Sequence, residues 1–386
     1  MYIKGVNLGN WLVLEKWMSP VLFEGTTAEN EHMLPEQLSR EVYEARIRVH
    51  RREYILERDF ASIRRMGMNA VRIPVPYFIF GDRPPFLGCV EELDRAFSWA
   101  EKYGLKVLID LHTAPLGQND FDNGGICGVC RWSQTPEEVA YVLEVLERFA
   151  KRYGQKEALF GIEPINEPIT KPMWDLMDVP SRYPAVDREL AEGSAPNTLE
   201  FLRQFYEDAY DRLRSHMARD KWVVFHDGFQ MKAWKDFLTR PEFRNVMLDT
   251  HLYLMTAEQK GCEQSVEGYT AYIEEHYAAD IRGPWSEPVY LHSSGYDPKA
   301  GQIVGYPRRI WRGGTDRGCI EAPHLTKRGT DYYKFLNTRI PVDDVPVYLR
   351  LHVEGRQSWI LQSSRMSTAV MGNLPGRWWE SPALTG

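Results

Sequence analysis

Leu159-Phe-Gly-Ile-Glu-Pro-Ile-Asn-Glu-Pro168 is a short apolar run that closes on an amide, a carboxylate and a proline. A run of this length bounded by proline reads as a buried strand, because a helix needs ten or more residues to bury a face. Proline withholds a backbone donor and stops the ladder, so Asn166 and Glu167 fall at the carboxyl end of that strand. The same grammar recurs in both directions. Strand-like runs occur at residues 2–7, 70–73 and 107–111 before it, and at 223–225, 246–251 and 289–291 after it, with residues 345–351 taken as the eighth.

Amphipathic stretches separate these runs, the pattern of βα units around a parallel sheet. Residues 52–66 set Tyr54, Ile55, Phe60, Ile63 and Met66 near helical spacing, Pro136 opens a helix over 137–153, and residues 202–217 form a third such segment. Units of this kind build either an open doubly wound sheet or a closed barrel. No glycine-rich phosphate loop follows an early strand, which removes the main support for a dinucleotide-binding sheet. Polar residues instead collect just after the strands: Asn7 and Asn10, Arg72, His112, Asn166 with Glu167, His226, and His251 with Tyr253. In a closed barrel all of them converge on the carboxyl-terminal mouth. The expected fold is therefore α/β, a (β/α)8 or TIM barrel, forming one domain over residues 1–386 with an irregular last pair of units. No Pro/Ser/Gly-rich linker divides the chain.

With 43% apolar and 26% charged residues the chain has the balance of a globular protein. Its net charge of −7 argues against a nucleic-acid partner, which needs a basic stripe. The charge is unevenly spread: residues 281–386 carry 11 Arg and 3 Lys against 9 acidic residues, a net of +5. No run of eighteen apolar residues suggests a membrane span, and the start of the chain has no secretory pattern, so a cytoplasmic protein is expected. Cys89, Cys127, Cys130, Cys262 and Cys319 are too sparse for a disulfide framework. Cys127-Gly-Val-Cys130 has no second pair or histidine cluster beside it, so no metal and no cofactor are expected.

Hydrolysis of a sugar acetal needs one carboxylic acid to protonate the leaving oxygen and a second carboxylate across the bond. Glu167 stands where the first belongs. A lone Glu after a strand is more often a helix cap or a solvated charge, but its context is specific. Gly5-Val-Asn-Leu-Gly-Asn-Trp-Leu-Val-Leu-Glu15, Asn69-Ala-Val-Arg-Ile-Pro74 and Asp110-Leu-His-Thr-Ala-Pro-Leu-Gly-Gln-Asn119 come first. Phe121-Asp-Asn-Gly-Gly125, Asn166-Glu-Pro168, His226-Asp-Gly-Phe-Gln230 and His251-Leu-Tyr253 follow in order. Over about residues 1–282 this series resembles glycoside hydrolase family 5, the cellulase-like family A, in its exo-β-1,3-glucanase branch.

The resemblance implies a retaining hydrolase of β-glucosidic bonds, with β-1,3-glucan as the favoured polysaccharide and a β-1,4-glucanase or mannanase as the alternative. It implies Glu167 as acid/base. Arg72 would lie beneath the nucleophile and lower its pKa, and His112 and His251 would shape the sugar subsite. Asn166 would hold the 2-hydroxyl, Tyr253 would hydrogen-bond the nucleophile, and Glu15 with Asn119 would bind hydroxyls of the terminal sugar. Glu163 is read as structural. Trp11, Trp132 and Trp234 are candidate sugar platforms.

The pattern breaks at the nucleophile. Pro288-Val-Tyr-Leu-His-Ser-Ser-Gly295 has the right placement and apolar strand, but Ser293 stands where the family carries Glu. Glu287 precedes the strand, roughly 20 Å away for six extended residues. Asp297, on the following loop, is the nearby carboxylate on the correct side. Three explanations fit: a barrel that has lost its nucleophile and binds sugar without turnover, transfer of the role to Asp297, or a sequence altered across the Arg-rich last third.

Overall fold

The computed structural model describes residues 3, 5–16, 18–234, 237, 243–251, 261–262, 268, 271–272 and 275–276, together with the backbone of strands at 289–292, 296–297, 302–303, 347–353, 356–363 and 366–372. Seven strands form one parallel sheet in chain order. They are β1 (Gly5–Asn7), β2 (Ala70–Val75), β3 (Lys106–Leu111), β4 (Leu159–Glu163), β5 (Trp222–His226), β6 (Val246–His251) and β7 (Val289–His292). Helices Arg40–Glu53 and Glu57–Arg65 join β1 to β2, Val90–Tyr103 joins β2 to β3, Pro136–Tyr153 joins β3 to β4, and Leu199–Arg214 joins β4 to β5. Strict sequential order with helical crossovers is the wiring of the (β/α)8 barrel.

Local chemistry explains the helix boundaries. Residues 52–66 are not one helix as expected, because the chain breaks after Glu53 and restarts at Glu57. There the Asp59 carboxylate accepts the Leu56 backbone N–H at 2.7 Å, a reach-back that starts a new first turn. Pro136 is the first residue of its helix, as expected, and Gly104 ends Val90–Tyr103 at φ +65°. Leu199–Arg214 begins three residues before the expected segment, because the Thr198 hydroxyl caps the Phe201 N–H at 3.1 Å.

The strands bury two different faces. Val71, Ile73, Val107, Ile109, Ile162, Val223, Phe225, Val246 and Leu248 pack outward with the helices. Leu108, Phe160, Val224 and Met247 pack together on the other face as an apolar layer. The register shifts where β3 meets β4, so that Val107 pairs Leu159 but Leu108 pairs Gly161. This irregularity sets Asp110 abreast of Glu163. It places Glu163, rather than Ile162, on the face that carries the chemistry.

The eighth strand is corrected. Val347–Val353 does form a strand, but it pairs antiparallel with Arg356–Ser363, which pairs antiparallel with Met366–Gly372. A hairpin-connected meander satisfies these backbone groups among themselves, so Val347–Val353 does not continue the parallel sheet. No helix among the described residues is long and apolar enough to cross a membrane.

Gly161 lies against the next strand so closely that an added Cβ would stand 2.5 Å from the Trp222 carbonyl oxygen. Gly161→Ala must push β4 and β5 apart. It is expected to cost about 1–3 kcal/mol, read as a lowered thermal midpoint; an unchanged midpoint would contradict the β4–β5 packing.

Candidate active site

Period-2 alternation carries polar side chains onto the inner face just above the apolar layer. On β3 the alternation Leu108, Asp110, His112 climbs from the layer to the mouth, and on β6 Met247, Asp249, His251 does the same. Arg72 rises from β2 between them. All of these polar residues are buried.

Arg72 is the hub. Its Nη1 lies 2.8 Å from Asp110 Oδ2, and its Nη2 2.8 Å from Glu163 Oε2. The same guanidinium donates to Asn7 Oδ1 at 3.2 Å and to Asn166 Oδ1 at 2.9 Å. Burial works against its charge, but Asp110, Glu163 and Asp249 outweigh burial and hold the guanidinium firmly protonated. Glu163 behaves as its complement: burial, aided by Asp249 and Asp110 and opposed by Arg72, raises its carboxyl well above the ordinary range. Glu163 therefore serves the frame of the site, in keeping with the structural reading.

Glu167 sits in a left-handed backbone conformation, φ +43°, immediately before Pro168. A proline disfavours that region for its predecessor, so the carboxylate is held by its surroundings at a cost of order 1–3 kcal/mol. Its Oε1 lies 2.6 Å from Nδ1 of His251, and Asn123 Nδ2 reaches Oε2 at 3.5 Å. Burial opposes ionisation of Glu167. The hydrogen bond and charge of His251, with the nearby His226 and His112, outweigh it and hold the carboxyl well below its usual range. His251 faces a second carboxylate, with Nε2 3.4 Å from Asp249 Oδ2. Burial would lower its pKa, but Asp249 and Glu167 raise it to about 10.

His112 Nδ1 is 2.6 Å from Asp110 Oδ2, which fixes the ring. His226 accepts the Gly228 N–H on Nδ1 at 3.0 Å, so the neutral ring carries its proton on Nε2. Burial, followed by repulsion from His251, pushes its pKa well below the ordinary value. Its ring stands edge-on to His251 at 4.4 Å and 89°.

The structure thus brings together Arg72, His112, Asn166, Glu167 and His251. Gln118 ties the Asn119 segment to the same group, donating to the carbonyls of His112 at 2.8 Å and Asn166 at 3.0 Å. Asn119 spends its Oδ1 on the Phe121 N–H at 3.1 Å. The Nδ2 groups of Asn119 and Asn166 are buried without an acceptor among the described residues, as suits donors to a ligand oxygen. Glu15 is buried in the segment after β1, where its backbone N–H donates to Asn10 Oδ1 at 2.9 Å. Tyr253 and Ser293 lie outside the described residues. The register that sets His292 abreast of His251 makes residue 293 the one that follows β7 at its carboxyl end. Asp297 lies in the short strand Tyr296–Asp297, antiparallel to Gln302–Ile303.

The three tryptophans are a correction. Trp11, Trp132 and Trp234 are fully buried, so none offers a face to a sugar. Trp132 packs edge-on against Phe201 and Phe205, and Trp234 donates its indole N–H to the Asp227 carbonyl at 2.7 Å. Such rings serve the core, with the polar edge satisfied internally. Conversely, the roles of Asp110 and Asp249 were missed. The signal for both was Asp-x-His, once on β3 and once on β6, a spacing that stacks the two side chains on one strand face.

Two donor clusters among the described residues have metal-like spacing: Glu167, His226 and His251, and Glu163, Asp249 and His251. Neither suits a cation. His226 presents an N–H rather than a lone pair, and Arg72 already neutralises Glu163.

The chain belongs to the cellulase family, glycosyl hydrolase family 5, whose model matches residues 40–287. A glucan 1,3-beta-glucosidase of Schwanniomyces occidentalis is 34% identical over 74% of this chain and 66% of its own length. A probable glucan 1,3-beta-glucosidase A of Emericella nidulans is 37% identical over 65% of this chain and 57% of its own. The chain thus spans under two thirds of the length of these two relatives. Among solved structures, the rutinosidase from Aspergillus niger superposes with a TM-score of 0.55 at 22% identity, covering 75% of this chain and 81% of that one. AoRut gives 0.58 at 23%, covering 75% and 80%. These likenesses show the fold.

Two outcomes follow from the geometry. Arg72→Met strands Asp110 and Glu163 without their cation and is expected to cost about 3–5 kcal/mol of stability. Adding Glu163→Gln should recover part of the loss, a pattern that thermal unfolding of the two variants checks. The His251–Glu167 pair also has a defined pH window. The raised imidazole contributes stability fully below its ordinary 6.5, lost as pH climbs towards about 10. The lowered carboxyl contributes above its ordinary 4.5, lost as pH falls towards its folded value. The stability gap between wild type and His251→Gln should be widest between those two ordinary values and narrow on both sides. A gap that does not vary with pH would show that the pair is not ionised.

Proposed function

We propose that this chain is a β-glucanase-type O-glycosyl hydrolase that cuts β-glucosidic bonds, with β-1,3-linked glucan as substrate. The observation that carries the reading is Glu167 at the end of β4, buried, strained and hydrogen-bonded to His251, in a chain of family 5. Relatives named as glucan 1,3-beta-glucosidases favour the 1,3 linkage. In this reading Glu167 delivers a proton to the leaving oxygen, and afterwards takes one from the attacking water. Asn166 and Asn119 hold sugar hydroxyls through their Nδ2 donors. His112 lines the sugar subsite with its ring held by Asp110, and Glu15 takes hydroxyls of the terminal sugar. Tyr253 would accompany the nucleophile. Arg72 acts from below, fixing Asn166 through the 2.9 Å bond to its Oδ1.

A second reading is favoured by one residue. Ser293, immediately after β7, has no carboxylate with which to form a glycosyl-enzyme, and Asp297 is the nearest substitute in the chain. A barrel without that carboxylate keeps its hydroxyl contacts but loses the covalent route, and becomes a sugar-binding module.

Release of glucose from laminarin by the purified chain separates the two. Hydrolysis is expected, with Glu167→Gln reducing kcat/KM by about 10²–10⁴-fold and leaving sugar-induced thermal stabilisation in place. Stabilisation by laminarin oligosaccharides without any glucose release would establish the binding module instead.

A further inference from the structure

Between β4 and the helix Leu199–Arg214 the chain makes a long excursion over residues 170–197, built on the short helices Lys171–Met177, Val179–Arg182 and Arg188–Ala191. None of the motifs that carry the family resemblance falls inside it. The excursion is nonetheless bolted to its base and to the segment after β3. Asn197 donates through Nδ2 to the Gln118 carbonyl at 2.8 Å and to the Ile169 carbonyl at 2.9 Å, which closes its two ends. The Cys130 N–H donates to Ser194 Oγ at 3.0 Å, and the Ala195 N–H to the Cys130 carbonyl at 3.0 Å. Gly128 packs so closely on Ala185 that an added Cβ would lie 2.3 Å from the Ala185 Cα. A wall fixed at so many points is preorganised, so a ligand that meets it has little chain to order.

One ring of this wall stands beside the acid. Tyr183 ends the helix Val179–Arg182, and its ring lies 5.2 Å from that of Phe121. Asn123, two residues after Phe121, turns Nδ2 towards Glu167 Oε2 at 3.5 Å, while its Oδ1 is buried with no donor among the described residues. Burial chiefly raises the pKa of the Tyr183 hydroxyl, and Asp122 and Glu167 add to the rise against Arg182, so the hydroxyl lies within electrostatic reach of the acid. The ring is half-buried against an apolar bed of Phe121, Cys130, Ile169 and Val179. No hydrogen bond joins its hydroxyl to another described residue.

A firmly seated aromatic ring with an unspent hydroxyl suits a pyranose, whose C–H face is apolar and whose rim is polar. In the hydrolase reading the departing unit leaves from beside the Glu167 carboxylate, and Asn123 followed by Tyr183 lines that side. We propose that Tyr183 is the platform for the glucosyl unit on the leaving side of the scissile bond, and that the excursion over residues 170–197 makes this chain select an oligosaccharide over a single glucose. The inference rests on the hydrolase reading above and deepens it. A purely apolar leaving group would cover the same ring but leave Asn123 Oδ1 and the Tyr183 hydroxyl without partners, which favours a sugar.

The test is calorimetric titration of the full chain carrying Glu167→Gln, so that no sugar is consumed, with glucose and with laminaritriose. Tyr183→Leu in that background keeps an apolar side chain against Phe121 but no flat face or hydroxyl. It is expected to weaken laminaritriose by about tenfold while glucose changes by less than about twofold. Tyr183→Trp, which restores a flat ring, should recover most of the loss. Equal losses for the two sugars, or no loss for laminaritriose, overturn the proposal. If Tyr183→Leu does not fold, Tyr183→Phe decides: a loss confined to laminaritriose supports the platform, and unchanged affinity for both sugars overturns it. A wild-type chain that releases no glucose from laminarin yet shows the Tyr183 pattern loses the hydrolase reading and keeps the platform. A chain that releases glucose and binds laminaritriose equally well without Tyr183 keeps hydrolysis and loses the platform.

Discussion

The site depends on a single buried guanidinium. Arg72 rises from β2 and bonds to Asn7 of β1, Asp110 of β3, Glu163 of β4 and Asn166 just beyond it, so four consecutive strand ends are set against one planar group. A lysine has neither the fork nor the number of donors to do this. Desolvating such a charge is expensive, and only this many partners can offset the cost. Below it lies the apolar layer of Leu108, Phe160, Val224 and Met247, which excludes water from the underside. The result is a rigid polar floor above a greasy plug. Asn166 is held by its Oδ1 while its Nδ2 keeps a donor in reserve, so the frame and the ligand contacts share one side chain.

Charge balance then dictates protonation. Asp110, Glu163, Glu167 and Asp249 supply four carboxyl groups to a space served by two strong cations, Arg72 and His251. Full ionisation would leave a surplus of negative charge out of water, and burial, Asp249 and Asp110 push the Glu163 carboxyl upward against the pull of Arg72. Glu167 remains ionised because it meets His251 directly. Similar carboxyl groups a few residues apart are thus shifted in opposite directions, Glu163 upward because burial outweighs Arg72 and Glu167 downward because His251 outweighs burial. The left-handed backbone at Glu167 belongs to the same economy, since it turns the carboxylate towards β6 and the ring of His251.

Much of the fold could be read from apolar spacing. All seven of the parallel strands and the helix opened by Pro136 are found where the runs and the proline put them. The site residues Arg72, His112, Asn166, Glu167 and His251 converge because each follows or ends a strand, and strand ends in a barrel share a mouth. What escaped reading was set by contacts across the fold. Asp59 divides a helical pattern that periodicity alone leaves whole. The tryptophans lie near the site in sequence but are turned into the core by Phe201, Phe205 and Tyr206. Residues 345–351 have the composition of a strand, and composition does not say which neighbour a strand will choose. Asp249 went unnoticed because its importance comes from the ring two residues later.

The departure after β7 and the ionisation of Glu167 are connected. In a retaining pair the second carboxylate faces the acid across the substrate, and repulsion between the two raises the pKa of the acid until it holds its own proton. Ser293 supplies no such repulsion from the residue that follows β7. Three histidines among the described residues, His251 foremost, pull the Glu167 carboxyl down rather than up. A carboxylate at position 293 would oppose that pull. The identity of residue 293 therefore bears on the ionisation of Glu167, a residue far from it in the chain.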